Sequence, residues 1–352
     1  MQVLVVLGPD TGADADLLGD QARSAAEELG VDLRLVTAAA ADRVMAVLSG
    51  HDGPAVAVTS DPVVISSVAA EVVCYDLRIA DVVRGPLHLH GRGVWGLPWA
   101  VRHAVHRKRS PAQRVRYGDG QDQWADERQP ESSWGAGDPG PVAVLVHGGF
   151  WRSVWGADLM DALAIDLARH GWLAWNLEYR RPDRHGWVAT TADVADGIRA
   201  AEQRWPGRPV VLFGHSAGGQ LVLQAAADNP GIALAVSLAG VVDLPEGYRR
   251  GLGDGAIGMA LGGSPEQKPE VYRTADPFSR LPLRTAALLV QGTQDSPDLV
   301  DFNRRFARAS GAPLIERPGD HFDVITPGSQ IWWDTMDEVE RWLDRPVSTS
   351  VE

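Results

Sequence analysis

The stretch Gly214-His215-Ser216-Ala217-Gly218-Gly219 sets a serine between glycines, where an apolar run (210–213) meets an alanine-rich one. A strand passing into a helix through such a turn pushes a serine hydroxyl out above a sheet. The helix N-terminus beneath it favours developing negative charge. Serine is a weak nucleophile near neutrality, so the pattern carries chemistry only if a base and an orienting acid are supplied. In a strand–turn–helix frame of this kind both are expected later in the chain, acid before base. One histidine follows His215, namely His321 in Pro-Gly-Asp-His-Phe-Asp, and it is the expected base. Asp295, directly after the apolar run 286–291, is the expected acid, with Asp298 in reserve; either could instead be an ordinary turn aspartate. A tetrahedral intermediate also needs N–H donors aimed at its oxygen. Ala217 is one, and the glycines of Val-Leu-Val-His-Gly-Gly-Phe-Trp-Arg (144–152) let a second stretch of backbone approach a substrate. His170 and His185 read as structural, at a helix end and in a loop.

These residues need a frame, and the chain from 141 onward has the grammar of one. Strands are expected at 142–147, 172–179, 210–215, 233–239, 286–291 and 313–317. Helices are expected at 156–170, 190–204, 218–228, 299–309 and 331–343. Near-continuous apolar strands alternating with amphipathic helices indicate a mainly parallel sheet covered on both faces. The glycine- and proline-rich stretch 241–280 interrupts this alternation and reads as a long irregular insertion, a cap or lid.

Residues 1–110 form a separate small α/β series. Strands are expected at 3–8, 31–37, 54–60 and 71–77, with helices at 14–30 and 40–49, giving a doubly wound, flavodoxin-like domain. Between the two series, 109–141 is rich in Pro, Gly, Ser and charge, as a linker is; its pieces Arg-Val-Arg-Tyr-Gly and Gln-Trp-Ala-Asp-Glu-Arg-Gln-Pro can open the next domain as short strands. The division expected is 1–110, 111–345 and a tail at 346–352.

At 352 residues two domains are the natural prior, and 45% hydrophobic with 22% charged residues is a globular composition. A net charge of -13 argues against nucleic acid and anionic membrane as partners. The basic run 101–110 reads as a solvated helix end. A single cysteine, Cys74, allows no internal disulfide and reads as a buried thiol. No membrane-length apolar run or cleavable leader is seen, so a cytoplasmic setting is the expectation. No cofactor and no metal is expected.

Taken together, residues 111–345 resemble an α/β-hydrolase of the esterase and kynurenine-formamidase-like group. The motifs carrying the resemblance are His-Gly-Gly-Phe-Trp (147–151), Gly-His-Ser-Ala-Gly-Gly (214–219), Glu-Tyr-Arg-Arg (178–181), Gly-Thr-Gln-Asp (292–295) and His321-Phe322. The stretch 261–277 is similar to the family's cap region. The resemblance implies Ser216 as nucleophile, His321 as base, Asp295 as orienting acid, and oxyanion donors at Gly149, Phe150 and Ala217. Phe150 stands where hormone-sensitive-lipase-like members have a third glycine. Residues 1–110 resemble, more faintly, a type II 3-dehydroquinate dehydratase, through Val-Leu-Val-Val-Leu-Gly-Pro (3–9) and a closing strand and helix at 93–107. The dehydratase residues do not carry over: the loop after the first strand lacks tyrosine and arginine, 58–66 lacks the asparagine, and the region 74–83 lacks the acid histidine. That family forms large oligomers, so an assembly or regulatory role, with homo-oligomerisation through this domain, is implied; a pocket for another small anion is the alternative.

The expectation for function is a serine hydrolase acting on small aromatic or apolar esters or formamides, N-formylkynurenine among them, through an acyl-enzyme. His147, Phe150, Trp151 and Phe322 are expected at the substrate, with Trp155 and Tyr248 near it; most of the thirteen tryptophans should be packing residues. Arg152, Arg180, Arg181, Arg249 and Arg250 could meet a substrate carboxylate or be surface charges. A prolyl-oligopeptidase-type peptidase is the alternative, weakened by the absence of blade repeats. A third reading is an assembly or ligand-binding protein with secondary hydrolase activity.

Overall fold

The computed structural model describes residues 1–80, 87–132 and 140–344. The expected tail at 346–352, part of the linker, and residues 81–83 of the region compared with the dehydratase acid site lie outside the described residues. The chain folds as two compact units, Met1–Gln113 and Arg114–Glu352.

In the first unit β1 (Gln2–Leu7) is apolar from its second residue and completely buried there, as a strand covered on both faces must be. Helix α1 (Ala15–Glu28) starts where the Asp14 side chain accepts from the N–H groups of Asp16 and Leu17. β2 (Asp32–Thr37), α2 (Ala41–Ser49) and β3 (Ala55–Val58) follow. Helix α3 (Pro62–Ser67), which sequence periodicity missed, rests on an Asp61 cap and a proline in its first turn. β4 (Val73–Asp76), β5 (His88–His90) and α4 (Leu97–Arg109) complete the unit. The closing strand expected at 93 is instead β5, because left-handed Gly93 ends the extended backbone and a short 3₁₀ turn leads into α4. Among the described residues its five strands are all parallel, in the order β2-β1-β3-β4-β5. Val3, Val5 and Leu7 pack with Leu18 of α1 and Val101 of α4, whereas Leu4 and Val6 pack with Val44 of α2 and Val64 of α3. Alternate residues of one strand therefore serve two helical layers. Cys74 is buried, and burial pushes its thiol up to about 12.

The second unit holds an eight-stranded sheet in the order β13-β12-β11-β10-β8-β9-β7-β6. β6 (Gln113–Arg116) and β7 (Trp124–Arg128) open it, and β7 lies antiparallel to β9 (Leu173–Glu178). The pairs among β8 (Val142–Val146), β9, β10 (Val210–His215), β11 (Leu234–Leu238), β12 (Ala287–Gly292) and β13 (Leu314–Arg317) are parallel. Helices α5 (Asp161–Arg169), α6 (Pro182–His185), α7 (Trp187–Arg204) and α8 (Ala217–Asp228) fall between strands up to β11; α12 (Pro297–Ser310) follows β12 and α13 (Gln330–Leu343) follows β13, with α9 to α11 in the stretch between β11 and β12. Phe213 meets Trp172 edge-on on one face of the sheet, while its neighbour Leu212 joins the large core on the other.

The stretch 241–280 is not irregular. It forms α9 (Leu244–Arg249), α10 (Leu252–Leu261) and α11 (Pro269–Ala275), and Leu244, Ile257 and Tyr272 are buried in the main core. Gly251 and Gly262 flank α10, and a left-handed run, Gly253-Asp254-Gly255, lies inside its start. Apolar spacing between those breaks is helical, which composition alone concealed.

Candidate active site

Ser216 joins β10 directly to α8 and holds φ 56 and ψ −117, a conformation costly for a residue with a Cβ. Its backbone is pinned from both sides. The N–H donates to Leu238 O at 2.8 Å, and its carbonyl accepts from Gly219 N at 2.9 Å and Val241 N at 3.1 Å. The flanking glycines are required by close approach. A Cβ at Gly214 would stand 2.2 Å from Gly218 O, and one at Gly218 would stand 2.1 Å from Val146 O. Ser216 is the N-cap of α8, and its hydroxyl makes no capping bond.

Asp295 and His321 come from neighbouring strand ends. The turn after β12 is stitched to the loop after β13 by Thr293 N to Arg317 O and Gln294 N to Gly319 O, both 2.9 Å. This brings His321 Nδ1 to 2.8 Å from Asp295 Oδ2. Asp295 also accepts from Gln291 Nε2 at 2.9 Å and Ser296 N at 2.6 Å. Burial pushes the Asp295 carboxyl up, but the bonds from His321, Gln291 and Ser296 outweigh it and hold the group below the usual range. A carboxylate facing Nδ1 keeps the proton there, so Nε2 is the nitrogen left to accept. Asp298 meets Arg250 Nη1 at 2.8 Å instead, in the first turn of α12.

The third part is the loop after β8. Gly149, Phe150 and Trp151 run consecutively through positive φ (106, 52 and 56). A Cβ at Gly148 would stand 2.8 Å from Ser216 Cβ, so this backbone lies against the serine. Among the described residues none accepts from the N–H of Gly149, Phe150 or Ala217. The ring of Phe150 packs on Gly253 in the left-handed run of α10, and Arg152 Nη2 donates to Gly253 O at 2.9 Å.

Two residues expected at the substrate, Trp151 and His147, are buried. Trp151 is 1% exposed, packs edge-on to Trp187, and donates its indole N–H to Gln220 Oε1 at 3.2 Å. His147 is fully buried, stacks on Tyr179 with ring centroids 4.5 Å apart, and faces Glu178 Oε1 at 3.1 Å through Nε2. The positive φ at Trp151 turns its side chain inward, so both residues brace the loop from beneath. Phe150 is half-buried, Phe322 and Tyr248 are exposed, and Trp155 lies against Gly149.

Further buried residues, Gln291 and Asn303 of them outside any motif, support the site. Glu178 accepts from Ala157 N at 3.0 Å and pairs with Arg181 as well as His147. Burial alone would raise its carboxyl, but Arg181 and His147 bring it down to about 2. Asn303, fully buried, donates to Gln291 Oε1 at 2.9 Å and so fixes the amide that holds Asp295. The signal available beforehand was a lone polar residue in an apolar strand, as Gln291 is in Ala-Leu-Leu-Val-Gln-Gly. Among the described residues no cluster of His, Cys, Asp and Glu could hold a metal. Nor, among them, is any helix long and apolar enough to cross a membrane.

A mainly parallel sheet bearing its special loops at the carboxyl ends of β8, β10, β12 and β13 is the architecture of the α/β-hydrolases. The chain belongs to the alpha/beta hydrolase family, which it matches over residues 143–351, within the second unit. It is similar to Esterase LipC of Mycobacterium tuberculosis, with 28% identity over 274 residues covering 64% of this chain; it spans 62% of that relative's length. A putative thioesterase from Silicibacter sp. shares the fold at TM-score 0.56, with 23% identity over 66% of this chain and 89% of that one. Esterase B from Lactobacillus rhamnosis does so at 0.53, with 16% identity over 65% and 83%.

Proposed function

We propose that the protein is a serine esterase cleaving small, uncharged esters through an acyl-enzyme. In this reading Ser216 Oγ attacks the ester carbonyl while His321 Nε2 takes its proton, with Asp295 orienting the ring and favouring its charged form. The tetrahedral oxygen accepts from Ala217 N–H and from the N–H groups of Gly149 and Phe150. The alcohol leaves with the proton from His321, and water then repeats the sequence on the acyl group. The observation carrying this reading is the strained Ser216 at a strand–helix junction, with Gly148 of the loop bearing unused N–H groups against it and the bonded Asp295–His321 pair tied to the adjacent His215.

An ester is favoured over N-formylkynurenine, which bears an amino-acid carboxylate, because the nearby guanidiniums are already engaged. Arg152 is bonded to Gly253 O, Arg180 to Asp193, Arg181 to Glu178, Arg249 to Glu246, and Arg250 to Glu246, Asp298 and Asp301. A substrate carboxylate would have to displace one of these partners. Phe150, Phe322 and Tyr248 suit an apolar acyl or alcohol group, with 241–280 as the cap. The similarity to esterases supports the same class. For residues 1–110 the strand order β2-β1-β3-β4-β5 supports a flavodoxin-like assignment.

The test is hydrolysis of p-nitrophenyl acetate and butyrate beside N-formylkynurenine, with Ser216→Ala as blank. Ester turnover that falls by about 10⁶ in the variant, with little formamide cleavage, is expected. Efficient formamide cleavage would make it an arylformamidase, and serine-independent turnover would overturn the mechanism.

A further inference from the structure

We infer that His215 is a positioning residue for the base: through its Nε2–H it holds the His321 carbonyl, and with it the imidazole, in register with Ser216. The inference rests on the reading of His321 as the base. His215 Nε2 lies 2.9 Å from His321 O. A carbonyl oxygen can only accept, so Nε2 carries the proton and Nδ1 the lone pair. The two rings stand 4.7 Å apart between centroids, and the Phe322 ring is 5.7 Å from that of His215.

The same side chain reaches the third loop of the site. A Cβ on Gly148 would stand 3.2 Å from His215 Nδ1, and 2.7 Å from the His215 carbonyl. One residue, covalently joined to Ser216, therefore touches the loop after β8 and bonds the loop after β13. Asp295 fixes the ring of His321 from one side, and His215 fixes its backbone from the other.

His215 cannot itself carry protons in turnover. It is 1% exposed, and Nδ1 is buried with no hydrogen-bond partner among the described residues. Burial, with the neighbouring His321, brings its imidazole down to about 3, so the ring stays neutral and Nε2–H stays a donor throughout the working range.

The experiment compares His215→Leu, which keeps volume and loses the donor, with His215→Gln, whose amide N–H reaches close to the Nε2 position. Each is assayed on p-nitrophenyl butyrate, and the low-field proton resonance of His321 Nδ1–H is recorded. Displacing the base by about 1 Å should lower kcat about a hundredfold in the Leu variant with KM within about twofold. Its low-field resonance should broaden or vanish, while Gln restores both the resonance and kcat to within about tenfold of the parent. Equal kcat in the two variants would overturn the inference, as would an unchanged resonance in the Leu variant. Circular dichroism identifies a variant that has not folded, and His215→Asn, too short to reach the carbonyl, then replaces Leu in the comparison. His321→Ala is run alongside: if it stays active the assignment of the base fails, whatever the His215 variants do.

Discussion

Gly218→Ala asks whether the serine is placed by the packing of its turn. A Cβ there would stand 2.1 Å from Val146 O and 2.7 Å from His147 O, both backbone atoms. A carbon and a carbonyl oxygen tolerate about 3.3 Å, so the start of α8 and the end of β8 must separate by about 1 Å. That displacement lies between Ser216 and the loop whose N–H groups are to meet the oxyanion. Misplacement of this size costs about 10²-fold in rate, or about 3 kcal/mol of transition-state stabilisation. The overpacking itself costs about 1–3 kcal/mol of stability, a drop of several degrees in Tm. The assay is kcat/KM on p-nitrophenyl butyrate with thermal melts monitored by circular dichroism. Gly50→Ala is the control, since its nearest contact would be 3.8 Å away. A folded Gly218→Ala with parental kcat/KM would refute the reasoning, because the site would then not depend on this turn.

Other substitutions separate roles that proximity alone leaves mixed. Asp295→Asn should lower kcat by about 10⁴ as in comparable triads, whereas Asp298→Asn, which loses a partly exposed ion pair, should shift stability by under about 1 kcal/mol and leave kcat alone; the reverse pattern would exchange their roles. Trp151→Phe should lower stability by about 1–3 kcal/mol by stranding buried Gln220 while KM stays unchanged, and a raised KM at full stability would put Trp151 back at the substrate. Denaturation measured from pH 7 downward should show two losses. The unfolded chain protonates the His215 position near 6.5 while the folded ring resists to about 3, so stability falls as pH drops through that window. The Glu178 contribution is complete above 4.5 and is lost as pH falls from 4.5 toward 2. His215→Gln should flatten the upper part of the slope and Glu178→Gln the lower, and an unchanged slope in both would refute the assignment.

The strand–helix alternation of both units was legible from residue order, because a parallel strand buried on two faces must be apolar at nearly every position and the helix after it must be amphipathic. The Gly-His-Ser-Ala-Gly turn was legible too, since the closeness of Gly214 to Gly218 and the entry into α8 are local. What lay beyond reach depends on atoms distant in the chain. Asp295 and Asp298 follow the same strand three positions apart, and only the stitching of the loops after β12 and β13 decides which one meets His321. Trp151 reads as a substrate residue from its loop, but its positive φ and the Gln220 amide turn it into the core. Glycine content made 241–280 look irregular, whereas helices there are stabilised by burying Leu244, Ile257 and Tyr272 against the main core. Sequence by itself determined the kind of fold and the residue types available for chemistry, because those follow from periodicity and local turns. Tertiary structure alone decided which aspartate meets His321 and through which ring nitrogen, because hydrogen bonds of this kind are set by the distance between strand ends and not by spacing along the chain.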